Sequence, residues 1–223
     1  MCVNCNTRIS RTQSSARIER FLQLTNEPLV RGEFNPNVHV TLPSTAAQYF
    51  HVLRRQLVRS YRKPLVGFTP KATLRLPATY AQLSDLTERT SWQPVLPDEH
   101  VGHPSKVDRV VVLSGKLFYL LADERKKRSL GNIAFLRIEE LSPFPYDQLE
   151  AALAPFSNAT SFVFAQEEPE NAGFWTFAKP RLEQLHPDWQ YVGRRAMAVP
   201  ANGIASEARR EANEIVEAVF AGL

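Results

Sequence analysis

Four stretches of this chain carry side chains whose types and spacing suit chemistry. Ser14-Ser15-Ala16-Arg17 turns into an amphipathic segment that runs to Leu24. Hydroxyls, peptide N–H groups and a guanidinium at a helix N-terminus suit an anionic ligand. The same residues would also serve as the cap and anchor of an ordinary surface helix. Gln166-Glu167-Glu168 ends one apolar run, and Arg194-Arg195 follows the next. Open α/β sheets bind ligands beyond strand C-termini, so these residues are a candidate phosphate-competent pocket. The competing reading is a structural Glu–Arg network or a dimer contact. Ser114-Gly115-Lys116 has the end of a phosphate loop without its glycine spacing, which leaves a strand-to-helix turn. Cys2 and Cys5 form a single C-x-x-C with no second pair, so no metal site is expected.

These residues must be positioned by elements that the hydrophobic periodicity supplies. Ile18, Phe21, Leu22 and Leu24 have helical spacing, and 25–37 reads as loop. VHVTL (38–42) is a strand. Thr45 opens a helix to 58 with Gln48 placed for a capping box. That helix should bury Tyr49, Phe50, Val52, Leu53 and Leu57, with Arg54, Arg55, Arg59 and Arg62 on its polar side. PLVGF (64–68) is a continuous apolar strand. A proline-punctuated connection follows to 108, with a helical piece at 79–86. From 109 strands and helices alternate: strand RVVVLSG, helix 116–128, strand IAFLRIEEL, helix 146–154, strand SFVFAQEE, helix 173–185, strand YVGR and helix 205–220. Alternation of this kind predicts an α/β fold with a mostly parallel, doubly wound sheet. Only two strands precede residue 70, so that part reads as the tail of a larger α/β domain.

Bulk properties exclude several classes. At 223 residues and 43% hydrophobic, the chain can build a real core. No apolar run approaches membrane-spanning length. The net charge of +4 comes from 27 basic and 23 acidic residues that are interspersed. That disfavours a nucleic-acid partner. The one basic run, Arg125-Lys126-Lys127-Arg128, is placed to cap a helix C-terminus. Few cysteines fit a reducing compartment or an organelle matrix. The histidines show no ligand spacing, and His51 reads as structural. Phe174, Trp175 and Phe177 read as core or subunit contact.

SSARIERFLQL, PSTAAQYFHVLRRQLVRSYRKPLVGFTPKATLRLPA, VVLSGKLFYLL, RIEELSPFP and FAQEEPENAGFW are long and collinear. Together they resemble the C-terminal part of the 2-oxoglutarate dehydrogenase E1 family. The look is closest to its 2-oxoadipate dehydrogenase branch, and the resemblance covers about residues 14 to 221. It implies a thiamine diphosphate and magnesium enzyme that decarboxylates a 2-oxo acid and passes the acyl group to a lipoyl-bearing E2. It also implies an obligate E1 homodimer, in the mitochondrial matrix of a eukaryote or the cytoplasm of a bacterium. On this reading residues 1–13 are atypical, 14–76 are the end of a pyrimidine-binding transketolase domain, 77–108 connect, and 109–223 are the E1 C-terminal domain.

The resemblance also defines what departs from it. The family carries a histidine facing the 2-oxo acid before Ser-Ser-Ala-Arg, and this chain has Gln13. The sequence preceding it is Ser-Arg-Thr in place of Gly-Pro-Glu, which suggests that homology begins at Ser14 and that 1–13 are foreign. Gln13, Ser14, Ser15 and Arg17 would belong to a substrate-side loop only in a complete enzyme. No diphosphate-binding GDG-type motif occurs. The expectation is a fragment that binds no cofactor and is inactive alone. The alternative is a non-catalytic module that docks on full-length E1 or E2. Gln166, Glu167, Arg194 and Arg195 resemble the acetyl-CoA effector site of an actinobacterial branch of the family.

Overall fold

The computed structural model describes residues 2–3 and 16–223. In chain order the strands are β1 (Cys2–Val3), β2 (His39–Thr41), β3 (Leu65–Phe68), β4 (Val95–Leu96), β5 (Arg109–Leu113), β6 (Ile133–Ile138), β7 (Glu140–Ser142), β8 (Ser161–Pro169) and β9 (Trp189–Arg194). The helices are α1 (Ile18–Gln23), α2 (Ala46–Val58), α3 (Leu117–Arg128), α4 (Tyr146–Leu153), α5 (Trp175–Leu182) and α6 (Ala205–Phe220). They build two sheets. The N-terminal sheet has the order β1-β3-β2-β7, and the C-terminal sheet has the order β4-β6-β5-β8-β9. Pairings are parallel except for β7 on β2 and β4 on β6.

The C-terminal sheet is doubly wound because its central strands are apolar on both faces. Val110, Val112, Ala134, Leu136, Ile138 and Phe164 point to one side, and Val111, Leu113, Ile133, Phe135, Val163 and Ala165 to the other. This is the two-residue alternation of a strand. The second face is covered by Leu117, Phe118 and Leu121 of α3 and by Ile215, Val216, Val219 and Phe220 of α6. The first packs on α4, α5 and the N-terminal sheet, where Ile18, Leu22, Val40, Leu42, Val66 and Phe68 join the same core. One core therefore runs through both sheets.

The sheets are also joined covalently and polarly. IAFLRIEEL, expected as one strand, breaks at Glu139, and its last residues leave β6 to become the antiparallel edge β7 of the other sheet. The Glu139 N–H donates to Pro94 O (2.8 Å) and its carbonyl accepts from Leu42 N–H (2.7 Å). Nearby, the buried Glu27 carboxylate accepts from Ser142 Oγ (2.6 Å), Phe144 N–H (2.9 Å) and Arg181 Nε (3.3 Å).

Four expectations are corrected. The helical piece at 79–86 is two separate 3-10 turns, Pro77–Thr79 and Leu83–Leu86. β4 lies in what reads as plain connection. The apolar side of α2 is only partly used: Val52 is buried, but Phe50 and Leu53 are 40% exposed and Leu57 78%. The capping box forms only in its first half. Thr45 Oγ1 accepts from Gln48 N–H (3.1 Å), whereas the Gln48 amide turns away to pair with the Gln93 backbone in both directions.

Candidate functional site

The chain enters the C-terminal sheet at β5, adds β6 on one side, then crosses back to add β8 and β9 on the other. The crevice beyond the C-terminal ends of β5 and β8 is thus the topological switch point, where open α/β sheets place ligands. It is lined by Ser114, Gly115 and Lys116 after β5 and by Gln166, Glu167 and Glu168 of β8, and roofed by Ile18, Leu42 and Pro70 of the N-terminal part. Gly115 makes the turn at φ +69°, and a Cβ there would stand 2.9 Å from Leu42 Cδ2. The Ser-Gly-Lys stretch is accordingly a strand-to-helix turn, and Lys116 pairs with Glu167.

Gln166 is buried and committed. Its Nε2 donates to Pro169 O and Ala172 O (2.9 Å each) and to Glu168 O (3.3 Å), and its Oε1 accepts from Phe174 N–H (3.1 Å) and Trp175 N–H (3.0 Å). It closes the 166–175 loop and sets the start of α5. Burial, then the charge of Glu167, push Glu168 above the usual carboxylate range. Arg194 is 8% exposed. Its Nε donates to Glu167 O (2.8 Å), its Nη2 to Pro200 O (2.5 Å), and its Nη1 lies 3.6 Å from Glu211. Arg195 is exposed. Arg194 thus bonds the Glu167 backbone, Gln166 bonds the 168–175 loop instead, and Arg195 faces out.

Arg17 sits at the start of α1 with extended backbone and no side-chain cap. Gln13, Ser14 and Ser15 lie outside the described residues. The segment does reach the crevice: Ile18 lines it, and Glu19 Oε2 accepts from Gly173 N–H (2.9 Å). The start of α1 therefore lies against the loop that follows Gln166-Glu167-Glu168.

Sequence reasoning missed two carboxylates at the seam between the sheets. Glu140 Oε2 accepts from Arg55 Nη1 (2.6 Å) and Trp92 Nε1 (3.0 Å), while Oε1 meets Arg55 Nη2 (2.8 Å) and His39 Nδ1 (3.3 Å). Burial opposes its charge, but the His39 and Arg55 hydrogen bonds outweigh burial and hold it below the ordinary range. Glu139 is fully buried and accepts from Ser44 N–H (2.7 Å) at Oε2, while Oε1 has no hydrogen-bond partner. Burial raises it from 4.5 to about 7, against the pull of Arg137 and Ser44. The available signal was two consecutive acids inside an apolar run.

Magnesium with a diphosphate needs convergent oxygen ligands, carboxylates among them. Among the described residues no group of three or more His, Cys, Asp or Glu side chains could hold a metal ion.

Residues 80–220 match the 2-oxoglutarate dehydrogenase C-terminal family, and residues 9–77 match the transketolase pyrimidine binding domain. The human 2-oxoadipate dehydrogenase complex component E1 is 43% identical over 215 residues, 93% of this chain and 23% of its own length. A probable homolog of that component from Dictyostelium discoideum is 39% identical over 93% of this chain and 24% of its own. The 2-oxoglutarate dehydrogenase E1 component of Cupriavidus necator is 42% identical over 94% and 22%. The chain thus spans about a quarter of the length of these curated relatives. A solved split-gene transketolase, an inactive β4 tetramer, has the same fold (TM-score 0.61, 14% identity, covering 98% of this chain and 65% of its own). With the E1 C-terminal match across most of its length, the chain belongs to the 2-oxoglutarate dehydrogenase E1 family.

Proposed function

We propose that this chain is the C-terminal part of an E1 subunit that decarboxylates 2-oxoglutarate or 2-oxoadipate and delivers the acyl group to lipoyl-E2. The observation that carries it is identity near 40% over more than nine-tenths of the chain. Thiamine diphosphate would supply the decarboxylation chemistry, bound by parts of an E1 subunit other than the residues described. Residues 14–76 would close the pyrimidine-binding side and 109–223 would form the C-terminal domain, joined by 77–108. The 223 residues alone are inactive on this reading. A decarboxylation assay with thiamine diphosphate, magnesium and either 2-oxo acid should give no turnover, and turnover by the isolated chain would overturn the reading.

The chain's own residues would position and dock. The open face of α2 exposes Phe50, Leu53 and Leu57, and a face of this kind marks a protein contact. It fits an E1 partner subunit, in the mitochondrial matrix of a eukaryote or the cytoplasm of a bacterium. Gln166, Glu167 and Arg194 have their hydrogen bonds within the chain, which favours a structural role over an acetyl-CoA effector site. Acetyl-CoA binding that is lost in an Arg194→Ala/Arg195→Ala double variant retaining its fold would reverse that assignment. A purely regulatory module would instead co-purify with full-length E1 without completing any active site.

A further inference from the structure

Glu139 alone separates β6 of one sheet from β7 of the other. Its side chain, with no exposure, grips the residue that precedes the N-cap of α2. That residue, Ser44, is held at all three of its polar groups by the C-terminal sheet and its helix. Glu139 Oε2 takes its N–H, Tyr119 Oη donates to its carbonyl (2.7 Å), and Arg137 Nη1 donates to its hydroxyl (3.1 Å). Two atoms of this buried cluster have no hydrogen-bond partner, Glu139 Oε1 and Arg137 Nε. A half-satisfied buried carboxylate is costly when charged and tolerable when protonated.

The groups that face it decide which form prevails. From β6 comes Arg137, whose guanidinium lies 4.0 Å over the Phe118 ring and favours the charged form. From α3 comes Tyr119, which burial pushes above its ordinary value, so it stays neutral near pH 7. From α2 and its entry come Ser44 and Gln48, and from the approach to β4 the Pro94 carbonyl, all uncharged. The next residue, Glu140 at the start of β7, is occupied by Arg55, His39 and Trp92.

We propose that Glu139 is a proton-operated latch between the two sheets, closed when its carboxyl is protonated and loosened at Ser44 and the start of α2 when it ionises. The raised value near 7 puts the change in the neutral range. The test is amide hydrogen exchange of the full chain at pH 4.5 to 8, corrected for intrinsic rates, comparing peptides over 42–48 in the wild type and in Glu139→Gln. Protection of 42–48 should fall by up to about tenfold per pH unit between the open-state value of 4.5 and the folded value near 7, and level off above it. In Glu139→Gln the 42–48 protection should be flat with pH. The same pH dependence in wild type and variant overturns the proposal. Should the variant fail to fold, carbon-13 NMR of the glutamate carboxyls in the wild type decides: a Glu139 midpoint in the ordinary range near 4.5 sinks it, and one near 7 supports it.

Discussion

Glu139, between β6 and β7, and Glu140, the first residue of β7, are sequence neighbours whose environments drive them in opposite directions. Glu140 meets a bidentate arginine, a histidine and an indole; Glu139 meets one amide and an orphan lone pair. The sign follows from linkage. A carboxyl raised from 4.5 to about 7 on folding contributes fully below 4.5, and that contribution is lost as pH rises toward 7. The loss amounts to about 3 kcal/mol at 1.36 kcal/mol per unit. Urea unfolding at pH 4.5 and 8 should show it, and Glu139→Gln should remove it. Glu140 works the other way: its contribution is present above the unfolded value and is lost as pH falls through its depressed folded value. Glu140→Ala strands Arg55 and should cost about 3–5 kcal/mol. The adjacent arginines also separate. Arg194→Ala should cost about 2–3 kcal/mol, since it leaves the Glu167 and Pro200 carbonyls unpaired, while exposed Arg195→Ala should stay within about 0.5 kcal/mol.

At the scale of elements, the β5–α3 turn carries a sharp expectation. Gly115→Ala forces a left-handed φ and a contact with Leu42, so it should cost about 1–3 kcal/mol. In a chain this long that lowers Tm by roughly 2–4 °C for each kcal/mol. That turn was readable in the sequence because glycine punctuates the end of an apolar run. So was the end of α3, where Arg125 pairs with Asp98 and Arg128 with Glu124 and Glu217 before Ser129 adopts the left-handed cap. What periodicity cannot carry is the identity of the surface that covers an apolar face. The spacing of Phe50, Leu53 and Leu57 was read correctly as a stripe and wrongly as buried. Nor does an apolar run reveal a change of sheet: IAFLRIEEL looks the same whether its last residues pair with β5 or with β2. The crevice was half legible, in the Gln166-Glu167-Glu168 and Arg194 chemistry. The commitment of Gln166 to five backbone groups depends on a loop fold that no local pattern encodes.

For the whole molecule, the shared core predicts shared stability. Residues 77–223 alone would lose Ile18, Leu22, Val40, Leu42, Val66 and Phe68 from the core. At roughly 1.5–3 kcal/mol each, that is on the order of 10 kcal/mol, comparable to the stability of an entire domain. The shortened chain should bind hydrophobic dyes and lack near-ultraviolet circular dichroism, whereas the 223-residue chain should unfold in one transition. A cooperative, dye-free 77–223 would show the core to be divisible. The antiparallel edge has a consequence in time as well. Thr41 pairs with Glu140, about a hundred positions later. At roughly 5–20 residues per second of synthesis, the β2 edge waits about 5 to 20 s for its partner to leave the ribosome. During that interval the nascent chain carries an open strand edge, and chaperone occupancy should peak while the intervening residues are being translated.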